Sequence, residues 1–244
     1  MPRFFAPTDA FEDGKVYLRG DDARHVARSL RMAVGDEITV CDMKRREHRC
    51  RLASIRDELC ECLILETCEG RTESPAEISL YMAYPKGDKL ELVIQKAVEL
   101  GAARIIPFES SRCIKRPAKD RLDKQIARYA RIAEEAAKQC GRAAVPTVEP
   151  PLSFSAALDS ANEAELALFC YEGDGTLSLK QVLRDNPNAK TVSVTVGSEG
   201  GFSIEESREA ISRGLIPVNL GPRILRCETA PIYALSAISY EMEL

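Results

Sequence analysis

The spacing of hydrophobic positions changes at about residue 78. Before that point, short apolar or alternating runs are separated by turn and charged residues, a pattern typical of short β-strands. The predicted strands are residues 16–18, 37–41, 48–55 and 59–67. One helical segment, residues 21–32, interrupts them. Short strands at regular intervals predict a small β-barrel domain over residues 1–70, followed by a linker over residues 71–77.

From residue 78 onward, strand-like and helix-like segments alternate. The predicted strands are residues 78–84, 103–108, 166–171, 191–196 and 216–220, and the predicted helices are residues 88–100, 120–140, 177–184, 203–214 and 230–241. Asp88 and Glu91 predict a capping box at the first of these helices. The alternation is typical of a parallel sheet covered by helices, and because chains rarely knot, the pattern alone suggests a Rossmann-like domain.

A glycine-rich loop, GSEGGFS at residues 197–203, lies between a predicted strand and a predicted helix. Ser203 and Glu206 form a second capping-box pattern at the start of that helix. The glycines let a ligand lie against bare backbone, and free N–H groups at a helix start favour a polar or anionic group. Glycine-rich turns also serve packing alone, so this loop leaves both interpretations open.

A second loop, LGPRILRCETA at residues 220–230, follows the next strand and runs into an apolar helix. Two arginines, a glutamate and a threonine crowd the start of that helix. Loops at strand ends are where α/β proteins usually keep their chemistry. The pattern favours a functional site, with an N-cap flanked by surface charges as the alternative.

The two loops together resemble the C-terminal signature of the SPOUT superfamily, and specifically of the RsmE-type methyltransferases, which modify N3 of a uridine in small-subunit ribosomal RNA. The segments MPRFF, HVARSLRMAVGDEITVCD, YPKGDKLELVIQKAVELGAARIIPF and KQCGR fit the same layout. Ser198 departs from the proline expected in many relatives. The resemblance implies an α/β SPOUT fold with a C-terminal trefoil knot over residues 78–244, after a PUA-like RNA-binding β-barrel.

The resemblance also implies S-adenosylmethionine as the cofactor, held mainly by backbone and apolar groups. The implied cofactor-binding residues are Tyr171, Glu172, Gly173, Gly197, Glu199, Gly200, Gly201, Leu220, Gly221, Ile224, Leu225, Arg226 and Thr229. The expected reaction is methylation of N3 of a specific uridine in 16S ribosomal RNA. The alternatives are another base in rRNA or tRNA, or a non-catalytic RNA- or nucleotide-binding module. The missing GK[ST] ending of a P-loop weighs against a phosphate-binding module.

The chemistry of uridine suggests roles for the charged residues of the loops. N3 carries a proton near neutral pH, so the enzyme must stabilise a uracil anion and place it in line with the methyl group. Arg226 is the first candidate for holding that anion, and Arg223 is the second. Glu199 or Glu228 could accept the proton or orient an arginine, and Glu228 could instead only compensate charge at the helix start.

Charge along the chain points to RNA, although the net charge is −4. Residues 86–142 carry 14 Lys and Arg against 8 Asp and Glu, an excess that suits a phosphate backbone but also an ordinary solvated helix face. The candidate RNA-binding residues are Arg24, His25, Arg28, Arg31, Lys86, Lys115 and Arg116. The expected partner is small-subunit ribosomal RNA or the assembled 30S subunit.

Cysteine usage and hydropathy complete the sequence-based expectations. Nine cysteines at scattered spacings, without paired CxxC motifs, favour reduced structural residues and no metal site. No signal or membrane-spanning pattern is found, which predicts a cytoplasmic protein without membrane contact. The apolar helix over residues 231–242 suits the interface of a homodimer, which the resemblance implies, or burial within its own subunit.

Overall fold

The computed structural model describes residues 1–114 and 121–243. Lys115 and Arg116, two of the candidate RNA-binding residues, lie outside the described residues. The chain divides into two compact units. The first comprises Met1–Glu73 with Ala137–Val145, and the second comprises Ser74–Ala136 with Pro146–Leu244.

The first unit contains a six-stranded sheet with the strand order β1-β4-β5-β6-β3-β2. The strands are β1 (Arg3–Phe5), β2 (Phe11–Glu12), β3 (Lys15–Arg19), β4 (Glu37–Cys41), β5 (Arg46–Arg56) and β6 (Leu59–Glu69). All neighbours pair antiparallel except β1 and β4. Cys50, Leu52, Cys60 and Cys62 point into its core together with Phe4. The four predicted strands correspond to β3 through β6.

The helical segment of this unit is shorter than the predicted 21–32. Helix α1 covers Gly20–Arg24, and a wider helical turn continues through His25–Ser29. Arg31 then adopts a φ of 51°, a left-handed conformation that cannot continue a right-handed helix. The prediction was therefore wrong in its C-terminal boundary.

A segment from the middle of the chain completes the first unit. Glu73 binds the Arg142 guanidinium at 2.5 Å, and its other oxygen accepts the backbone N–H groups of Ala143 and Ala144 at 3.0 and 3.1 Å. The side chains of this ion pair are only 5% and 7% exposed. Burial disfavours the Glu73 carboxylate, but its bonds to Arg142 and to backbone outweigh this and lower its pKa. Breaking such a buried pair strands a charge, so this contact fixes the return of the chain.

The second unit is a parallel sheet in which the order β10-β8-β7-β13-β11-β14-β12 is continuous and β9 pairs with β8. The strands are β7 (Glu77–Ala83), β8 (Ala102–Glu109), β9 (Thr147–Val148), β10 (Leu152–Ser153), β11 (Leu166–Cys170), β12 (Leu177–Ser178), β13 (Thr191–Val196) and β14 (Ile216–Asn219). The helices are α2 (Lys89–Glu99), α3 (Leu122–Cys140), α4 (Phe154–Ala161), α5 (Leu179–Asp185), α6 (Ile204–Ser212) and α7 (Thr229–Glu243). The last four residues of α3 belong to the first unit.

This architecture confirms the predicted parallel sheet flanked by helices. The strands β7, β13, β11 and β14 are neighbours, and parallel strands place their carboxyl ends on one edge. The loops that follow these four strands therefore meet at that edge. The trefoil knot in the chain path stays a prediction.

The capping box predicted at Asp88 and Glu91 does not form. Asp88 has φ −101° and ψ 13°, away from the extended conformation of a capping residue, and its side chain makes no cap bond. Glu91 instead pairs with Arg128 at 2.8 Å. Within residues 1–114 and 121–243, no helix is long and apolar enough to cross a membrane.

Candidate functional site

A cavity of about 570 Å³ lies at the sheet edge of the second unit, between the loops that follow β11, β13 and β14. Such a volume suits a ligand of cofactor size. The lining residues are Lys89, Cys170, Tyr171, Glu172, Val196, Gly197, Ser198, Glu199, Gly201, Phe202, Val218, Asn219, Leu220, Gly221, Pro222, Arg223, Ile224, Leu225, Arg226, Cys227 and Ala230. Most of them offer backbone or apolar surface.

The first glycine loop is fixed by contacts on both sides. The Ser203 hydroxyl accepts the Glu206 N–H at 3.1 Å and the Glu206 carboxylate accepts the Ser203 N–H at 2.9 Å, which confirms the predicted capping box. The second Glu206 oxygen accepts the Ser111 N–H at 2.6 Å. The Arg112 guanidinium donates to the Gly200 carbonyl at 2.8 Å. The loop is thus a rigid wall of the cavity.

Close packing explains why this loop contains glycine. A Cβ atom on Gly197 would lie 3.1 Å from the Gly201 backbone and 3.2 Å from the Phe202 ring. Gly201 itself has a φ of +62°, which favours glycine. Phe202 is buried, and the centroid of its ring lies 4.4 Å from that of the Phe169 ring on β11. The loop is therefore packed on the sheet.

The second loop is more open. Arg223 and Arg226 are exposed, and Ile224 between them is 81% exposed. Within the described part of the chain, neither guanidinium has an ion-pair partner. The Arg226 carbonyl accepts the N–H groups of Thr229 and Ala230 at 2.8 and 2.9 Å, so the backbone after Arg226 is fixed as α7 begins. Two free cationic groups therefore lie beside the cavity.

A charged cluster connects the two loops. The Lys89 ammonium lies 2.9 Å from Glu199 Oε1 and 3.2 Å from Glu228 Oε2. The same ammonium approaches Cys227 Sγ at 3.7 Å, and that thiol donates to Glu228 Oε2 at 3.2 Å. The Glu199 carboxylate also accepts the Lys86 backbone N–H, at 3.0 and 3.3 Å to its two oxygens. Sequence reasoning missed Lys89 and Cys227.

The cluster shifts the pKa values of its members. Burial disfavours the Glu199 carboxylate, but the Lys89 bond and the backbone N–H groups of Glu199 and Lys86 outweigh this and lower its pKa to about 2. The backbone N–H of Glu228 at the helix start, assisted by Cys227 and Lys89, lowers the pKa of Glu228. Hydrogen bonds to the two carboxylates raise the pKa of Lys89. Burial and the Glu228 carboxylate raise the pKa of Cys227 to about 12. Both carboxylates are thus ionised and weakly basic, and Lys89 is charged.

Most of the residues expected to bind the cofactor line the cavity, and three do not. Those that line it are Tyr171, Glu172, Gly197, Glu199, Gly201, Leu220, Gly221, Ile224, Leu225 and Arg226. Gly173 instead lies against the Tyr171 ring, Gly200 bonds to Arg112, and Thr229 is the first residue of α7. Arg223 lines the cavity. Glu228 does not line it but contacts two residues that do, Lys89 and Cys227.

The cavity contains further residues that the sequence did not single out. Cys170 ends β11 at the cavity wall, and burial raises the pKa of its thiol to about 12. Asn219 ends β14, and its side-chain oxygen accepts the Gly221 N–H at 3.3 Å. All nine cysteines are free thiols. Among the described residues, no three His, Cys, Asp or Glu side chains are close enough together to hold a metal ion.

The candidate RNA-binding residues of the first unit differ in their contacts. Arg24 bonds to Asp21 and, at 2.6 Å, to Glu58. Arg28 pairs with Asp57 at 2.8 Å. His25 and Arg31 are exposed.

In the second unit, Lys86 is exposed and reaches Glu199 through its backbone N–H.

Comparison with known families gives two matches along the chain. Residues 72–239 match an RNA methyltransferase domain, and residues 18–65 match an RNA methyltransferase PUA domain. The second match confirms the predicted PUA-like character of the N-terminal domain.

Individual relatives agree with these matches. The chain is 35% identical to ribosomal RNA small subunit methyltransferase E of Bacillus subtilis, covering 93% of this chain and 90% of the relative. The protein of the same name from Synechocystis is 32% identical, with 98% and 77% covered. A crystal structure of ribosomal RNA small subunit methyltransferase E from Neisseria gonorrhoeae bound to S-adenosyl methionine is 33% identical, with a TM-score of 0.87 and 99% and 98% of the two chains covered. The resemblance carried by the two loops is confirmed.

Proposed function

This chain belongs to the RNA methyltransferase family, within the small-subunit ribosomal RNA methyltransferase E group, and from that premise we propose that it methylates N3 of a uridine in 16S ribosomal RNA. It is an S-adenosylmethionine-dependent rRNA methyltransferase. The observation that carries the finer assignment is the cavity between two glycine loops, beside two arginines that have no ion-pair partner among the described residues.

The cavity suits S-adenosylmethionine, which supplies a methyl group already activated on a sulfonium. Backbone of Gly197, Gly201 and Gly221 offers hydrogen-bonding groups without side chains in the way. Leu220 and Leu225 add apolar surface for a flat ring. We assign these residues to cofactor binding.

The arginines of the second loop suit the charge that develops on the base. Loss of the N3 proton leaves negative charge shared with the neighbouring carbonyl oxygens, and a guanidinium can donate to such an oxygen. Arg226 holds the anion in this proposal, and Arg223 assists. Both guanidiniums lie beside the cavity without a competing carboxylate among the described residues.

The pKa values argue against a carboxylate base. A carboxylate whose pKa is about 2, as for Glu199, is poorly matched to accepting a proton near neutral pH. Glu228 has a lowered pKa and shares the same lysine. We therefore assign both carboxylates to holding Lys89. In this proposal the N3 proton passes to solvent water, and Arg226 stabilises the uracil anion that remains.

The target must be an unpaired or flipped base, because N3 takes part in Watson–Crick pairing. The PUA-like domain and exposed cationic residues would position the RNA. The residues proposed to contact RNA are Arg24, His25, Arg28, Arg31 and Lys86, together with Lys115 and Arg116, which the sequence alone suggests.

Exposed apolar residues support a homodimer. Tyr233 and Tyr240 on α7 are 46% and 69% exposed, and Ile224 is exposed nearby in sequence. Apolar groups that stay uncovered on one chain favour an interface, and a two-fold pairing is the commonest arrangement. We propose that α7 contributes to this dimer, that the chain path forms the trefoil knot, and that the enzyme acts in the cytoplasm.

Transfer of labelled methyl to small ribosomal subunits that lack the modification, followed by nucleoside mass analysis, tests the function. Label in N3-methyluridine is the expected result. Label in another nucleoside, or in tRNA, would keep the fold and reject the target. Cofactor binding without transfer to subunits, naked rRNA or tRNA would reject the catalytic assignment.

A further inference from the structure

One lysine connects the start of α2 to two loops at the edge of the parallel sheet. Lys89 lies in the first turn of α2, after β7, while Glu199 follows β13 and Glu228 follows β14. We propose that Lys89 is a positioning residue for methyl transfer, which holds the second glycine loop against the first and so sets the place of Arg226. The inference rests on the proposed function, because Arg226 is assigned to the anion there.

The bonds of the ammonium identify its role. An ammonium has three donors, and acceptors lie at 2.9 Å (Glu199), 3.2 Å (Glu228) and 3.7 Å (Cys227). No donor is left for a substrate unless one of these contacts is lost. Lys89 therefore acts through the loops and not directly on the base.

The first-loop end of this connection is firmly held. Glu199 accepts the Lys86 N–H as well as the ammonium, so its carboxylate is fixed from the β7–α2 loop by two donors. Gly87, with a φ of +62°, forms the turn between them. The first loop is also anchored by Glu206 and Arg112. It therefore provides a fixed reference for Lys89.

The second loop depends on Lys89 more than the first loop does. Glu228 and Cys227 directly follow Arg226, and Cys227 bonds to Glu228 at 3.2 Å. Lys89 is the cation that pairs with this short segment in the described structure. Moving residues 227 and 228 moves the backbone from which the Arg226 side chain extends. A misplacement of about 1 Å in a catalytic group can cost roughly a hundredfold in rate.

The positive charge of Lys89 offsets the repulsion between the Glu199 and Glu228 carboxylates. The ammonium stands between two ionised carboxylates, so removing it leaves two like charges that repel each other. The Glu228 side chain is 17% exposed and the Lys89 side chain 35% exposed, which leaves the repulsion only partly screened. Loss of Lys89 should therefore push the second loop away from the first.

Lys89→Met tests the proposal because it keeps an unbranched side chain of nearly the same length and removes the charge. Lys96→Met is the matched control, since Lys96 lies on the same helix and pairs with Glu99 at 2.8 Å, away from the cavity. The readouts are amide hydrogen exchange of peptides covering residues 197–202 and 221–230, affinity for S-adenosylhomocysteine, thermal unfolding, and kcat on small ribosomal subunits.

We expect Lys89→Met to speed exchange in residues 226–230 about tenfold and to lower kcat by roughly ten- to a hundredfold. Lys96→Met should change neither quantity. Lys89→Arg keeps the charge and should recover most of the rate. Glu228→Gln, which removes one end of the connection, should loosen residues 226–230 and leave residues 197–202 unchanged.

Several results would overturn the inference. One is Lys89→Met with wild-type exchange in residues 226–230. Another is a lower kcat with an undisturbed loop, since that would place Lys89 on the substrate. If Lys89→Met fails to fold, Glu228→Gln decides by the same exchange measurement. Wild-type protein that transfers no methyl group, with a loop that still loosens in Lys89→Met, would reject the proposed function and keep the positional role.

Discussion

The two glycine loops differ in how they are held, although both follow a strand at the same sheet edge. The first is fixed by the buried Glu206 carboxylate, by Arg112 and by the packing of Phe202. The second presents Arg223 and Arg226 to solvent without ion-pair partners in the described residues. We propose that the two loops have different roles, in which the first shapes the cavity and the second supplies charge to the reaction.

This division makes opposite demands on substitution. Changes in the first loop should lower stability, because its polar groups bond to the protein. Changes at the two arginines of the second loop should lower turnover and leave stability alone, because neither guanidinium has an ion-pair partner among the described residues. Each prediction below tests one side of this contrast.

Arg226→Ala should have the largest effect. Loss of one donor to a developing anion lowers kcat by roughly a hundred- to a thousandfold. The free energy of unfolding should stay within about 0.5 kcal/mol of wild type, since the guanidinium has no described partner. Methyl-transfer kinetics and urea denaturation measure the two quantities. Arg208→Ala, an exposed arginine on α6, is the control, and unchanged turnover in Arg226→Ala would remove Arg226 from the mechanism.

Glu206→Ala should reverse this pattern. The change removes the acceptor of the Ser203 and Ser111 N–H groups, and lost caps and hydrogen bonds of this kind cost about 2 kcal/mol. Urea denaturation, compared with Arg208→Ala, measures the loss. A Glu206→Ala variant as stable as wild type would mean that the first loop is held by packing alone.

Arg223→Ala should cost less than Arg226→Ala. We expect kcat/KM to fall about tenfold, because an assisting cation contributes roughly 1.4 kcal/mol. Parallel assays at several salt concentrations would separate contact with the base from contact with phosphate. If Arg223→Ala loses more turnover than Arg226→Ala, the two assigned roles must be exchanged.

The smallest effect concerns pH. The pKa of Glu199 is about 2 in the folded protein, against an ordinary value of 4.5. The ionised carboxylate therefore adds to the free energy of unfolding in full above pH 4.5, and this contribution is lost as the pH falls toward 2. It should be constant between about pH 6 and 8. After allowance for solvent screening, we expect the ionised Glu199 to contribute about 1 kcal/mol to the free energy of unfolding.

Denaturation of wild type and Glu199→Gln at pH 3 and pH 7 measures this contribution. The wild type should lose more stability on acidification than the variant. Equal losses would show that the Lys89 pair does not hold Glu199 ionised.

Local signals predicted the first loop better than the connection between the loops. Glycine spacing and the pattern of Ser203 and Glu206 act over a few residues, and the structure has the capping box where the sequence predicts it. The similar pattern at Asp88 failed, because the backbone there is not extended. Spacing alone does not determine the backbone angles that a cap requires.

Lys89 could not be found in this way. It pairs with a carboxylate 110 residues away, and a lysine in the first turn of a helix looks like an ordinary solvated charge. The segment Ala137–Val145 was missed for the same reason, since only the folded chain brings Arg142 to Glu73. Ion pairs between residues far apart in the sequence leave no repeating pattern that a single sequence would show.

The return of Ala137–Val145 has a consequence for synthesis on the ribosome. Glu73 leaves the exit tunnel long before Arg142, which is 69 residues later, so the nascent N-terminal unit must wait for its last piece. A fragment ending at Glu73 would lack the Arg142 guanidinium and the Ala143 and Ala144 N–H groups that bond to the Glu73 carboxylate, and we expect it to be unstable when expressed alone. Fusing residues 137–145 to that fragment through a flexible linker is therefore the way to obtain the N-terminal unit by itself.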